Sequence, residues 1–199
     1  MANKIITIGR EFGSGGRELG RRLADHLQIA YYDKEILTEI SKRTQLTEEY
    51  VHNVVEHHPY PLLPITIGHS LYPDMAFQLQ QSVYTEQSNI IKEMAAASDC
   101  VIVGRCADYI LHDIKPFRIF VYADMEARIA RCHARAPEGE HLSDKELKQM
   151  IQKVDKGRAK YYEFYTGEKW GDKSSYDLCI NTSNVVIKEL VPHLAAFLS

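Results

Sequence analysis

The chain has 199 residues, 45% of them hydrophobic, with 24 Lys+Arg against 27 Asp+Glu for a net charge of −3. That length and composition suit a single domain with an ordinary buried core, spanning 1–199, and exclude a disordered or collagen-like polymer. Near-balanced charge leaves no global field to recruit nucleic acid or an anionic membrane, so neither is an expected partner and any anion site must be local.

The run from Lys4 to Gly9 is almost continuously β-branched, as in a strand buried on both faces. A glycine-rich turn, Gly13-Ser14-Gly15-Gly16, follows, then a helical pattern from Arg17 to Gln28 with Leu19, Leu23 and Leu27 four apart. A second short strand ends at Asp33, and helical patterns cover Lys34 to Lys42, Glu48 to His57 and Met75 to Ala97. Between them lies a connection from His57 to Pro64 whose three prolines forbid regular helix. Further buried-strand runs occupy Cys100 to Val103, Phe117 to Ala123 and Leu178 to Ile180. Alternating strands and helices imply an α/β fold, a parallel sheet flanked by helices in three layers.

The four cysteines, Cys100, Cys106, Cys132 and Cys179, are too far apart for a CxxC motif, and no apolar signal-peptide segment opens the chain. Free thiols in the cytoplasm are the expectation. No stretch approaches ~18 apolar residues, so a transmembrane helix is not expected.

A strand that ends in a glycine loop and restarts as a helix aims backbone N–H groups and the positive end of the helix dipole at one point, which suits phosphate. A plain tight turn is the alternative. Against the phosphate-loop pattern G-x-x-x-x-G-K-[ST], the segment Glu11 to Glu18 places Arg17 where Lys is usual and Glu18 where the hydroxyl is usual. Arg17 offers a planar fork able to grip phosphate oxygens bidentately. The Glu18 carboxylate suits Mg2+ or simply the first turn of a helix.

The segment Ile5 to Gly20, with Leu23-Ala24 and Tyr31-Tyr32-Asp33-Lys34-Glu35, resembles the cytidylate kinase-like proteins, a branch of the nucleoside monophosphate kinases. The resemblance implies a P-loop fold with a helical lid, about 128–145, and an acceptor-binding helical insertion, about 34–97. True cytidylate kinases carry G-P-S-G-S-G-K-G-T in the loop. Gly13-Ser14-Gly15 matches its G-S-G, Gly16 then takes the lysine's place and Arg17 lies one further on. Gly104-Arg105 matches the start of the family's G-R-D-I-G-T, with Cys106 in place of an Asp that helps recognise cytosine. Asp33 matches the Asp of the D-S-G-x-x-Y segment at the acceptor nucleotide, and Asp108 is either a replacement for the lost carboxylate or a surface residue at a helix start.

A helix from Asp124 to Ala136 should bury Met125, Ile129 and Cys132 and share Arg128, Arg131 and Arg135 along one face. Cations around the equatorial oxygens are what phosphoryl transfer needs. After the break at 136–142, Ser143 to Glu146 has capping-box spacing. In the helix that follows, Arg158 interrupts an apolar stripe of Leu147, Met150, Ile151, Val154 and Tyr161. It pairs with Asp155 or faces phosphate; Asp155 to Arg158 resembles the family's R-D-x-x-x-R. Tyr161, Tyr162, Phe164 and Tyr165 serve either nucleotide stacking or helix docking. His57, His58 and His69 form no metal motif.

These readings converge on a phosphotransferase of small nucleotides using ATP and Mg2+. Gly13, Ser14, Gly15, Gly16, Arg17 and Glu18 would hold the donor, Asp33, Arg105 and Asp108 the acceptor, and Arg17, Arg131, Arg135 and Arg158 the developing charge. The rivals are a nucleotide-binding regulator without catalysis and a kinase of another small acceptor.

Overall fold

A computed structural model describes residues 3–56, 72–137 and 142–198. Five strands, β1 Ile5–Arg10, β2 Ala30–Tyr32, β3 Cys100–Val103, β4 Phe117–Tyr122 and β5 Leu178–Asn181, form one sheet in the order β2-β3-β1-β4-β5. Every neighbouring pair is parallel, in register such as Ile8 opposite Val103 and Ile119. The helices are α1 Gly16–Leu27, α2 Lys34–Thr44, α3 Glu48–Glu56, α4 Tyr72–Ala97, α5 Ala107–Ile110, α6 Met125–Arg135, α7 Asp144–Thr166 and α8 Ile187–Leu198.

Alternation along β1, β2 and β3 feeds two cores, which is why the inner strands β1 and β3 read as continuous apolar runs. Ile6, Ile8, Val101 and Val103 pack with Leu19 and Leu23 of α1 and Val191 and Leu194 of α8. Ile5, Cys100 and Ile102 belong to the opposite core, with Ile36 and Ile40 of α2, Val51 and Val55 of α3 and Ile90 of α4. The expected three layers are therefore present.

The expected strand and helix boundaries agree within a few residues, and the capping box at Ser143 forms, its side chain accepting from the Glu146 amide. Two helices lie outside the expectation. One is α5; the other is α8, which carries Pro192 in its interior and still buries Ile187, Val191, Leu194 and Ala195. The proline-rich connection with His57, His58 and His69 lies outside the described residues, as do positions 138–141 of the expected lid. Among the described residues no helix is long and apolar enough to cross a membrane.

Candidate active site

The glycine loop leaves β1 at its carboxyl end, at the centre of the sheet, where open parallel sheets place ligands. Gly13 and Gly15 have φ of 77° and 85°. The positive φ favours glycine at both positions, and a Cβ would add crowding, 2.2 Å from Ile187 Cδ1 at Gly15 and 3.1 Å from the Arg128 carbonyl oxygen at Gly13. Buried Ser14 donates from Oγ to the Glu11 carbonyl at 2.9 Å, and Thr182 Oγ1 donates to the Ser14 carbonyl at 2.6 Å. The hydrogen-bond ladder of α1 begins with Leu19 N donating to Gly15 O at 2.9 Å. The amides of Gly16, Arg17 and Glu18 precede that ladder and form the positive end of the helix.

Arg128 fixes the loop from below. Its Nε donates to Phe12 O at 2.6 Å, Nη1 to Glu11 Oε2 at 3.1 Å and Nη2 to Asp155 Oδ2. Asp155 Oδ1 in turn accepts the Phe12 amide at 2.8 Å, and Glu11 Oε2 accepts the Ala123 amide at 3.2 Å. Burial raises the Glu11 carboxyl above its usual range, opposed by the Ala123 amide and the Arg128 charge. This differs from the expectation for α6. Arg128 is the buried residue of that helix, while Met125, Ile129 and Cys132 are half-buried, because the helix meets the loop's polar backbone instead of an apolar surface. Asp155 correspondingly pairs with Arg128 and leaves Arg158 to the cavity.

A cavity of about 370 Å³ opens between the loop, α6 and α7, with Gly13, Gly15, Gly16, Arg17, Arg131, Arg135 and Arg158 among its walls. Arg131 lies against the loop: a Cβ on Gly15 would be 3.9 Å from its Nε. Its Nη2 donates to Thr182 O, while Nη1 is buried with no hydrogen-bond partner among the described residues. Burial, and then the like charge of Arg135, lower the Arg131 pKa, so an anion in this cavity would relieve both. Arg158 Nη1 donates to Arg10 O at 3.4 Å, and its guanidinium sits 5.7 Å from the Phe12 ring centre.

Arg17 turns toward the end of β2, where its Nε lies 2.5 Å from Asp33 Oδ2 and its Nη2 donates to Oδ1 at 3.3 Å. Glu18 accepts from Arg22 Nε at 2.8 Å and from Arg135 Nη2, which ties the first turn of α1 to the last turn of α6.

A second, smaller cavity lies on the other side of Arg10 and Arg158, both of which also line the first. Gly104, Arg105 and Cys106 run left-handed in succession, with φ of 72°, 61° and 54°. Two non-glycine residues in that region are strained, a condition that clusters at functional sites. At Gly104 the φ of 72° favours glycine, and a Cβ there would push on the Arg10 guanidinium, 1.8 Å away. The turn buries Arg105 in the cavity wall, and Gln87 Nε2 secures it by donating to Arg105 O at 3.0 Å. Asp108 lines the same cavity, is 8% exposed and accepts from Tyr162 Oη at 2.8 Å, so it is not a surface residue. Burial raises its carboxyl above the usual range. Cys106 is buried and its thiol is pushed well up by desolvation. Tyr165 stacks on Tyr84 at 3.9 Å and Tyr161 donates to Gln87 Oε1 at 3.2 Å, so these aromatics dock α7 on α4.

The amides of α1, the bare glycines and the orphaned Arg131 Nη1 fit the phosphates of a nucleoside triphosphate. Glu18 is already engaged by Arg22 and Arg135, so it would hold Mg2+ only by giving up one of them. Among the described residues no group of three His, Cys, Asp or Glu side chains is placed to hold an ion. Sequence reasoning missed Arg128 and Thr182 as loop supports; their partners are 27 to 168 residues away, with no local signal.

Comparison with known proteins places the chain among kinases of this fold. Cytidylate kinase of Methanopyrus kandleri is 27% identical over 180 residues, 90% of this chain and 84% of its own. A crystal structure from Eubacterium ventriosum superposes with a TM-score of 0.71 at 30% identity, covering 98% of both chains. Shikimate kinase of Bacteroides thetaiotaomicron shares the fold, with a TM-score of 0.60 at 16% identity over 99% of both chains. The profile of the cytidylate kinase-like family matches residues 5–184. The sheet order, the loop at its centre and this match over most of the length together make the chain a member of the cytidylate kinase-like family.

Proposed function

We propose that this chain is an ATP-dependent phosphotransferase of the cytoplasm that moves the γ-phosphoryl group to a small acceptor. The observation that carries the reading is the glycine loop opening α1 onto a cavity whose walls bring Arg17, Arg131, Arg135 and Arg158 together, cations gathered around a helix N-terminus. The loop amides and Arg131 bind the donor phosphates, and Arg135 and Arg158 offset charge that spreads over the equatorial oxygens during transfer. Arg17 reaches from the loop toward the acceptor side. Mg2+ enters with the triphosphate as part of the substrate, and no step is assigned to a protein-held ion.

The cytidylate kinase relatives support a nucleoside monophosphate as acceptor. A second reading, another small acceptor, is favoured by Cys106, which stands where the resembled enzymes use Asp to recognise cytosine. ADP release from ATP-Mg2+, measured against nucleoside monophosphates and small hydroxylated compounds, tests the assignment. Release that depends on an acceptor supports it, and none with any acceptor returns the chain to the class of nucleotide-binding regulators.

A further inference from the structure

Glu18 puts a negative charge in the first turn of the helix whose positive end faces the phosphate cavity. An acid pointing into that cavity would compete with phosphate for the same N–H groups. Glu18 points elsewhere: among the described residues that wall the cavity it is not one. Each of its oxygens has its own arginine instead. Oε1 accepts from Arg22 Nε at 2.8 Å, and Oε2 accepts from Arg135 Nη2. Arg22 follows one turn along the same helix and is an ordinary surface partner. Arg135 comes from the last turn of α6, 117 residues away in sequence, and it does line the cavity.

The other arginines that α6 and α7 bring to this wall are held by backbone. Arg131 Nη2 donates to Thr182 O, and Arg158 Nη1 donates to Arg10 O. Arg135 ends its helix with a side chain 52% exposed, and among the described residues Glu18 is the group that bonds it. A guanidinium on a long flexible stem at a helix end would otherwise sample many rotamers in water. The bond takes one N–H donor of a group that carries several, so donors remain for phosphate oxygens.

The same carboxylate acts between the two cations of α6. Burial and then the charge of Arg135 lower the Arg131 pKa, and Glu18 opposes them. One acid thus offsets the repulsion that would drive Arg131 and Arg135 apart. In phosphoryl transfer such placement counts, because positioning and charge stabilisation supply nearly all the catalysis, and a cation already in place needs no reorganisation as charge develops.

We propose that Glu18 is a positioning residue of the transfer. It holds Arg135 at the wall of the phosphate cavity beside Arg131, so that both cations are in place when the triphosphate arrives. The inference rests on the phosphotransferase reading above.

The test follows ADP release at varied ATP and varied Mg2+, with nucleoside monophosphates and small hydroxylated compounds pooled as acceptors. It compares the parent with Glu18→Ala, Glu18→Asp, Arg22→Ala, Arg135→Ala and the double variant Glu18→Ala, Arg135→Ala. The ion pair is partly exposed, so all should keep nearly the parent Tm. Glu18→Ala should lower the maximal rate about 10-fold or more, with KM for ATP changed less than about threefold. Glu18→Asp should regain part of that rate, and Arg22→Ala should match the parent. The double variant should be no slower than Arg135→Ala alone, because the acid then has nothing to hold. Losses that multiply in the double variant show that Glu18 acts apart from Arg135, and a raised Mg2+ requirement in Glu18→Ala makes it a metal ligand. Either result, or an undiminished rate in Glu18→Ala, overturns the proposal and leaves the phosphotransferase reading standing. A parent protein that releases no ADP in response to the acceptors overturns both.

Discussion

Arg128 and Asp155 form an ion pair beneath the glycine loop, with side chains 6% and 16% exposed, and each also bonds the backbone of Phe12. The helix α6, the long helix α7 and the loop are thus joined through one guanidinium. Any shift of α6 relative to α7 is felt at Phe12, next to Gly13 of the loop.

Removing Arg128 should be costly for that reason. Arg128→Met leaves Asp155 and Glu11 without their buried cation, and such a loss costs about 3–5 kcal/mol. Urea unfolding should show a midpoint lowered accordingly. A change within about 0.5 kcal/mol, the range of an ordinary surface substitution, would mean that the clamp is solvated in solution.

Arg17 is half-exposed but its partner Asp33 is buried, so Arg17→Ala leaves a buried carboxylate without its cation and should lower thermal stability as well. Arg17→Ala is also expected to lose at least ~2 kcal/mol of transition-state stabilisation, read as kcat/KM in the folded fraction. Unaltered turnover would transfer the role to Arg10 or to an α6 arginine.

How much of this was readable from the chain differs by element. The buried strands, the glycine loop and the capped start of α7 follow from local pattern, because β-branched runs, glycine clusters and Ser-x-x-Glu act over a few residues. The helix α8 was obscured by Pro192, although Ile187, Leu190, Val191 and Leu194 keep a helical period. In the site, a cation-rich helix was legible, yet the spacing of Arg128, Arg131 and Arg135 did not separate their surroundings. Arg128 turns inward because Glu11, Phe12 and Asp155 meet there, a convergence that only the fold produces. The Arg17–Asp33 contact was hidden likewise, as both residues were read singly and on opposite sides of the transfer.

Arg131 and Arg135 should matter to ligand and not to folding. Arg131 carries an unbonded buried nitrogen, and Arg135 is about half-exposed. The double variant Arg131→Ala, Arg135→Ala should lower turnover by at least about 100-fold and shift Tm only slightly. Hydrogen exchange at 135–137 and 142–143 should slow when donor and acceptor bind together. Equal exchange in both states, with activity kept, would leave these arginines as a solvated helix face.

Asp108 should leave a pH signature. Burial raises its folded-state pKa above the ordinary 3.8, so the folded protein binds more protons than the unfolded chain between the two values. Stability from this group is present below the unfolded pKa and is lost as pH rises through the folded one. Asp108→Asn removes that loss, so the variant should gain on the parent in urea midpoint from about pH 4 upward. Parallel profiles would show that the carboxyl titrates normally.

The claim on which the rest depends is that the glycine loop receives the donor phosphates. A crystal structure with bound ADP tests it most directly. The β-phosphate should lie on the amides of Gly16, Arg17 and Glu18, with Arg131 Nη1 within hydrogen-bond distance of one of its oxygens. ADP bound with its phosphates away from this loop, and Arg131 Nη1 still without a partner, would contradict the account.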